Sequence, residues 1–74
     1  MHVDQILGEV VLATKTVIRV CVTKHSENRE KVDVRIWFKN FEGLWQPTKK
    51  GFTFLRNNQN VGQLVEVLKK SLIL

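Results

Sequence analysis

From Lys31 to Lys39 apolar and polar positions alternate, with Val32, Val34, Ile36 and Phe38 on one parity and Asp33, Arg35, Trp37 and Lys39 on the other. A period of two belongs to a strand with one face buried, so the spacing predicts an apolar side against the core and a side that shows charge and an indole to water. Asn40-Phe41-Glu42-Gly43 follows, and Asn first with Gly fourth fits a type I turn closed by a left-handed glycine. Leu44 to Gln46 is then the return strand of a hairpin. Pro47 has no amide hydrogen for a ladder and is expected to turn the chain, leaving Lys49-Lys50-Gly51 at a bend before Phe52-Thr53-Phe54 extends again.

Upstream, Met1 to Leu7 shows little periodicity and reads as an arm or lead-in. Glu9 to Ala13 is apolar, Thr14-Lys15-Thr16 interrupts it, and Val17 to Lys24 alternates Ile18, Val20 and Val22 against Arg19, Cys21 and Thr23. β-Branched residues dominate throughout, which predicts one long, bent strand. The polar stretch from Ser26 to Arg29 is short enough for a hairpin connection. Downstream, Asn57 and Asn58 can cap a helix in which Val61, Leu64, Val65, Leu68 and Leu72 recur at helical spacing. Gly62 weakens its first turn by about 1 kcal/mol relative to Ala, so tertiary contacts must hold it.

One sheet face can absorb that helical stripe, but Val67, Ile73 and Leu74 lie off it and call for a second partner. Fraying of a chain end is the plain alternative. A membrane-surface helix is poorly served, because only Lys69 and Lys70 load its polar face. The expected fold is α+β: a curved four-stranded antiparallel sheet followed by one C-terminal helix, a single domain over residues 1–74.

At 74 residues the core is small, since folding at this size hides only about 60% of the unfolded surface. One cysteine and two distant histidines, His2 and His25, provide no disulfide or zinc cluster to reinforce it. Another copy of the chain is the remaining reinforcement, which makes a homodimer through Val61, Leu64, Val65, Leu68 and Leu72 the expected assembly. Cys21 reads as a reduced, packed thiol. The first residues carry Asp4, Gly8 and Glu9 where the apolar run of a secretory signal would stand, and no stretch approaches a membrane span, so a soluble, intracellular chain is expected.

Twelve Lys and Arg against seven Asp and Glu leave a net charge of +5, which suits an anionic partner. Catalysis is not expected: Ser26, Ser71 and Cys21 have no base placed around them, the carboxylates are scattered, and the glycines are isolated, so no phosphate loop exists and no cofactor or metal is implied. Single-stranded nucleic acid, by contrast, is held by cations along its phosphates and by aromatic rings on its bases. Trp37 beside Arg35 on the polar parity suggests such a ring, the alternative being an indole laid flat over a hairpin neighbour. Trp45 could face the core or pair across strands. Lys49 and Lys50 could meet one curved backbone, and Arg19, Lys24, Arg29 and Lys31 would extend the cationic strip or merely solvate the surface.

Val32-Asp33-Val34-Arg35, Trp37-Phe38, Glu42-Gly43 and Pro47-Thr48-Lys49-Lys50-Gly51 follow one another without a gap in a pattern that resembles the transcriptional coactivator positive cofactor four and its bacterial and phage relatives. That resemblance implies a symmetric dimer whose sheets bind single-stranded DNA with little sequence preference. It also implies that Arg35, Lys49 and Lys50 meet the backbone and that Trp37-Phe38 supplies stacking. The family's stacking ring falls at Phe38, whereas alternation buries that residue; a bulge would reconcile the two. Thr48 stands where the family usually has glycine, and the first hairpin turn lacks the aromatic that some members carry. The acidic, serine-rich tail of the eukaryotic coactivators is not seen, so a bacterial or phage cytoplasm is at least as well matched as a nucleus.

The expected function is sequence-nonspecific single-stranded DNA binding in transcription, replication or recombination. Alternatives are single-stranded RNA binding, since nothing identifies a reader of the 2′-hydroxyl, and an adaptor that docks on transcription or replication proteins.

Overall fold

In a computed structural model, the chain forms β1 (Gln5–Ala13), β2 (Thr16–Ser26), β3 (Arg29–Lys39), β4 (Trp45–Leu55) and a helix, α1 (Asn58–Lys70). The structure describes residues 3–26 and 29–72, without the side chains of residues 25 and 26. The readings of Met1 and His2 in the lead-in, of Glu27 and Asn28 in the first turn, and of Ile73 and Leu74 at the end lie outside those residues. The sheet is antiparallel in the order β1-β2-β3-β4, so each strand pairs with the next in sequence.

The number of strands agrees with expectation, but the chain divides them differently. What reads as one bent strand from Glu9 to Lys24 is a hairpin: Thr14 and Lys15 form its turn, and Ala13 pairs with Thr16. Neither turn residue has a positive φ, and no Gly, Asn or Pro marks the reversal. The lead-in is also shorter than expected, because β1 already begins at Gln5. The Asn40–Gly43 turn is as the pattern predicts. The Gly43 amide donates to the Asn40 carbonyl at 3.0 Å, and Gly43 takes φ 81°.

Pro47 does not end a strand. β4 runs unbroken from Trp45 to Leu55 with Pro47 opposite Trp37. Because β4 is an edge strand, a missing donor there leaves no neighbour unpaired. The expected bend is instead a bulge: Trp37 faces Pro47 and Arg35 faces Gly51, so Thr48, Lys49 and Lys50 all lie against Ile36. Thr48 pins it, its hydroxyl donating to the Ile36 carbonyl at 2.7 Å and accepting from the Lys50 amide at 3.1 Å.

The two faces of the sheet are buried in the reverse of the expected sense. The face carrying Val17, Arg19, Cys21, Thr23, Asp33 and Trp37 is closed, each of these residues being under a tenth exposed. Among the described residues of the other face only Val22 and Val32 are buried, while Ile18, Val20, Val34 and Ile36 are half-buried and Phe38 is exposed. Among the described residues no second layer covers the first face; Arg19 lies across it over Trp37, with Val3 and Trp45 packing at the margin.

α1 belongs to the second face but stands off it. Between Val61, Leu64 and Leu68 of the helix and Val20, Val32 and Phe54 of the sheet runs a cleft of about 880 Å³. Asn57 caps the helix, its Oδ1 accepting from the Asn60 amide at 2.7 Å, and Lys69 and Lys70 lie in the last turn, where the helix dipole favours cations. The result is an open molecule. Its radius of gyration is 13.6 Å, against about 11 Å for a compact chain of this length. Its accessible surface of 5941 Å² exceeds by about 1,200 Å² the value expected for a compact protein of this mass.

Candidate nucleic-acid interface

The two arginines on the closed face are occupied by the fold. Arg35 donates through Nη2 to Asp33 Oδ1 at 2.9 Å, through Nε to Asp33 Oδ2 at 3.1 Å and through Nη1 to the Thr48 carbonyl at 3.0 Å. The hydrogen bonds to Asp33 hold its pKa above the ordinary arginine range. Thr53 Oγ1 donates to the same carboxylate at 2.7 Å, so one buried aspartate is tied to β4 directly at Thr53 and, through Arg35, to Thr48 in the bulge. A charge buried this deeply is tolerable only with such a full set of partners.

Arg19 donates through Nε to Glu9 Oε2 at 3.0 Å, and its guanidinium lies 4.6 Å from the Trp37 ring centroid and 5.4 Å from that of Trp45. It is held from β1 by charge and between two indoles by cation–π attraction. Trp37 is 8% exposed and its Nε1 has no hydrogen-bond partner. The expectation of an exposed indole at 37 is therefore corrected: Trp37 follows the polar parity, but Arg19 covers it. Cys21, on the same face, is a fully buried free thiol whose pKa burial raises, with Asp33 adding to the effect.

Accessible groups lie elsewhere. Phe38 is 43% exposed, where alternation would have buried it. It shares a face with Ile36, and Ile36 lines a shallow hollow of about 300 Å³ together with Ile18, Val34, Phe52 and Lys50. Phe38 and Lys50 thus flank Ile36 on one wall, and the bulge sets exposed Lys49 beside them at the sheet rim. This puts a flat ring and one cation, Lys50, together on the second face, with Lys49 exposed at the adjoining rim.

Lys24, Arg29 and Lys31 are not part of that group. They sit where β2 and β3 join, and Lys31 is seven residues along β3 from Phe38, roughly 23 Å at strand spacing. Lys24 and Arg29 are exposed there, Lys31 is half-buried, and Glu30 is paired with Arg56 at 3.3 Å. Three residues at the Phe38 end escaped the sequence reading: Lys15, Lys39 and Phe41. Lys15 was hidden inside a supposed strand, although the Lys39 amide donates to its carbonyl at 2.9 Å. Phe41 could have been noticed, because an aromatic at the second position of a four-residue turn has nothing to pack against.

The helical stripe is open as well. Val61, Val65, Leu68 and Leu72 are between 39% and 85% exposed, and Leu64 is half-buried. Among the described residues no helix is long and apolar enough to cross a membrane.

Comparison with known proteins bears on this arrangement. Residues 12–61 match the family model described as transcriptional coactivator p15 (PC4). A crystal structure of a PC4 homologue from Burkholderia pseudomallei superposes with a TM-score of 0.77 at 20% identity, over 96% of this chain and 95% of that one. A bacteriophage T5 homologue of the eukaryotic coactivator PC4, implicated in recombination-dependent DNA replication, superposes with a TM-score of 0.67 at 22% identity, over 88% of this chain and 75% of that one. No curated protein sequence matches significantly.

Proposed function

Since the chain belongs to the transcriptional coactivator p15 (PC4) family, a family of non-enzymatic DNA-binding coactivators, we propose that it is a homodimeric, sequence-tolerant single-strand DNA-binding protein of transcription, replication or recombination. The observation that carries this reading is the wall on which half-exposed Phe38 and Lys50 flank Ile36, with Lys49 exposed next to them in the bulge. A ring there can stack on any base, because every base has a π-face, and cations beside it can meet phosphates without reading sequence. Arg19, Arg35 and Trp37 act in this reading as positioning residues: they close the opposite face and hold β3 and β4 at the bulge. Lys24, Arg29 and Lys31 form a second cationic station further along the strand path.

The dimer is supported by what the single chain leaves open. About 1,200 Å² of excess surface is more than the roughly 800 Å² per partner of a standard interface. The exposed stripe of Val61, Val65, Leu68 and Leu72 and the apolar cleft beside it are the surface that a second copy would cover in this reading. The role implicated for the phage T5 relative makes replication linked to recombination one of the processes proposed here.

Anisotropy titrations of labelled oligo-dT, oligo-U and duplex in one buffer test the reading. Oligo-dT should bind best, with log Kd changing by about 0.7 per neutralised phosphate for each decade of salt. Lys49→Glu with Lys50→Glu should flatten that dependence. Phe38→Ala should cost about 1–3 kcal/mol. An unchanged salt slope in the double variant, or oligo-U bound in preference to oligo-dT, would sink it.

A further inference from the structure

Phe41 is 105% exposed, and the fold makes no use of its ring. The turn that carries it is nonetheless firmly built. Asn40 Oδ1 accepts from the Glu42 amide at 2.9 Å and the Leu44 amide at 3.0 Å, while the Asn40 amide donates to the Leu44 carbonyl at 2.9 Å. With the Gly43 amide on the Asn40 carbonyl and Gly43 at φ 81°, the backbone is fixed on both sides of the ring. Such a turn holds an aromatic face out in water, where stacking on it costs little further ordering.

Its surroundings indicate what would stack there. Lys39 precedes the turn, with Nζ 5.5 Å from the Trp45 ring centroid, and exposed Lys15 is brought alongside by the Lys39 amide on its carbonyl. Phe38 lies three residues before Phe41, at most roughly 10 Å of chain, so one short single strand can reach both rings.

We propose that Phe41 is a second stacking platform for an unpaired nucleobase, with Lys15 and Lys39 meeting the neighbouring phosphates, so that a strand crossing Phe38 continues over the β3–β4 turn. The proposal rests on the single-strand reading above and adds to it a longer site and a residue on which site length depends.

The test measures Kd of wild type, Phe41→Ala, Phe41→Trp and Phe38→Ala for an oligo-dT series from about 4 to 16 nucleotides. Phe41→Ala should leave the shortest binding oligomer unaffected and weaken the longer ones roughly 5- to 160-fold, the range of one lost base stack. Phe41→Trp should restore or exceed wild-type affinity for the long oligomers, and Phe38→Ala should weaken all lengths. Because the ring contacts nothing in the fold, Phe41→Ala should melt as wild type does. If Phe38→Ala weakens binding while Phe41→Ala matches wild type at every length, this proposal falls and the single-strand reading stands, leaving the ring as a protein contact. If no length binds at all, the underlying reading has failed and the proposal with it.

Discussion

Replacing Gly51 by alanine puts the bulge under a direct mechanical load. Gly51 stands opposite Arg35, where β4 rejoins β3 after the three residues that face Ile36. A Cβ at this position would lie 2.5 Å from the Val34 carbonyl oxygen, 2.7 Å from Arg35 Cα and 2.8 Å from Arg35 Cβ. Non-bonded carbons rest at about 3.5–4.0 Å, so β4 would have to retreat by roughly 1 Å. None of the three atoms is the end of a flexible side chain, and a retreat pulls on the 3.0 Å bond from Arg35 to the Thr48 carbonyl. Overpacking of this kind costs about 1–3 kcal/mol. At about 4–8 °C per kcal/mol for a domain of this size, Tm should fall by roughly 4–24 °C.

Far-UV circular dichroism melting at one fixed protein concentration measures this, the concentration being held because assembly shifts Tm. Gly62→Ala is the internal comparison. A Cβ at Gly62 meets nothing within 4 Å, and alanine in a helix is favoured over glycine by up to about 1 kcal/mol, so that variant should melt higher. Melting of Gly51→Ala at or above the wild-type temperature would refute the close approach and the account of the bulge built on it.

If the chain dimerises through α1 as proposed, Leu68→Glu, which places a carboxylate in the apolar stripe, should halve the mass in analytical ultracentrifugation; a wild-type dimer whose mass the variant leaves unchanged, or a monomeric wild type, would refute it. Asn57→Ala removes the cap on the Asn60 amide and should cost about 1 kcal/mol in denaturant melts, within the range of about 0.5–2 for such caps. Cys21 has its thiol pKa raised above the ordinary value of 9.0 by burial, so the unfolded chain loses this proton first. Stability should then be complete below about pH 9 and decline as pH rises through the folded value. Thermal melts across that range should show the decline, and Cys21→Ala, less stable at neutral pH, should show a shallower one.

The local signals of the sequence were legible where chemistry is local. Asn40 and Gly43 specify their turn by a side-chain acceptor and a positive φ, and Asn57 specifies the start of the helix through one hydrogen bond. The Thr14–Lys15 reversal escaped because its residues are ordinary strand formers that carry no turn signal. Pro47 was read as a break because its missing amide is decisive in a central strand and inconsequential at an edge, and strand order is not visible in a pattern. The alternation around Trp37 correctly separates two faces. It cannot say which is closed, because an arginine and two indoles can seal a polar face while the helix stands off the apolar one.

Arg19 held between two indoles has a consequence for spectroscopy. Trp37 is shut away from solvent, so its emission reports whether the sheet is intact, and under the proposed single-strand reading an optical change on adding an oligonucleotide should come through Trp45 at the margin. A fluorescence signal in this protein is a gauge of folding first; occupancy has to be followed from a dye on the nucleic acid.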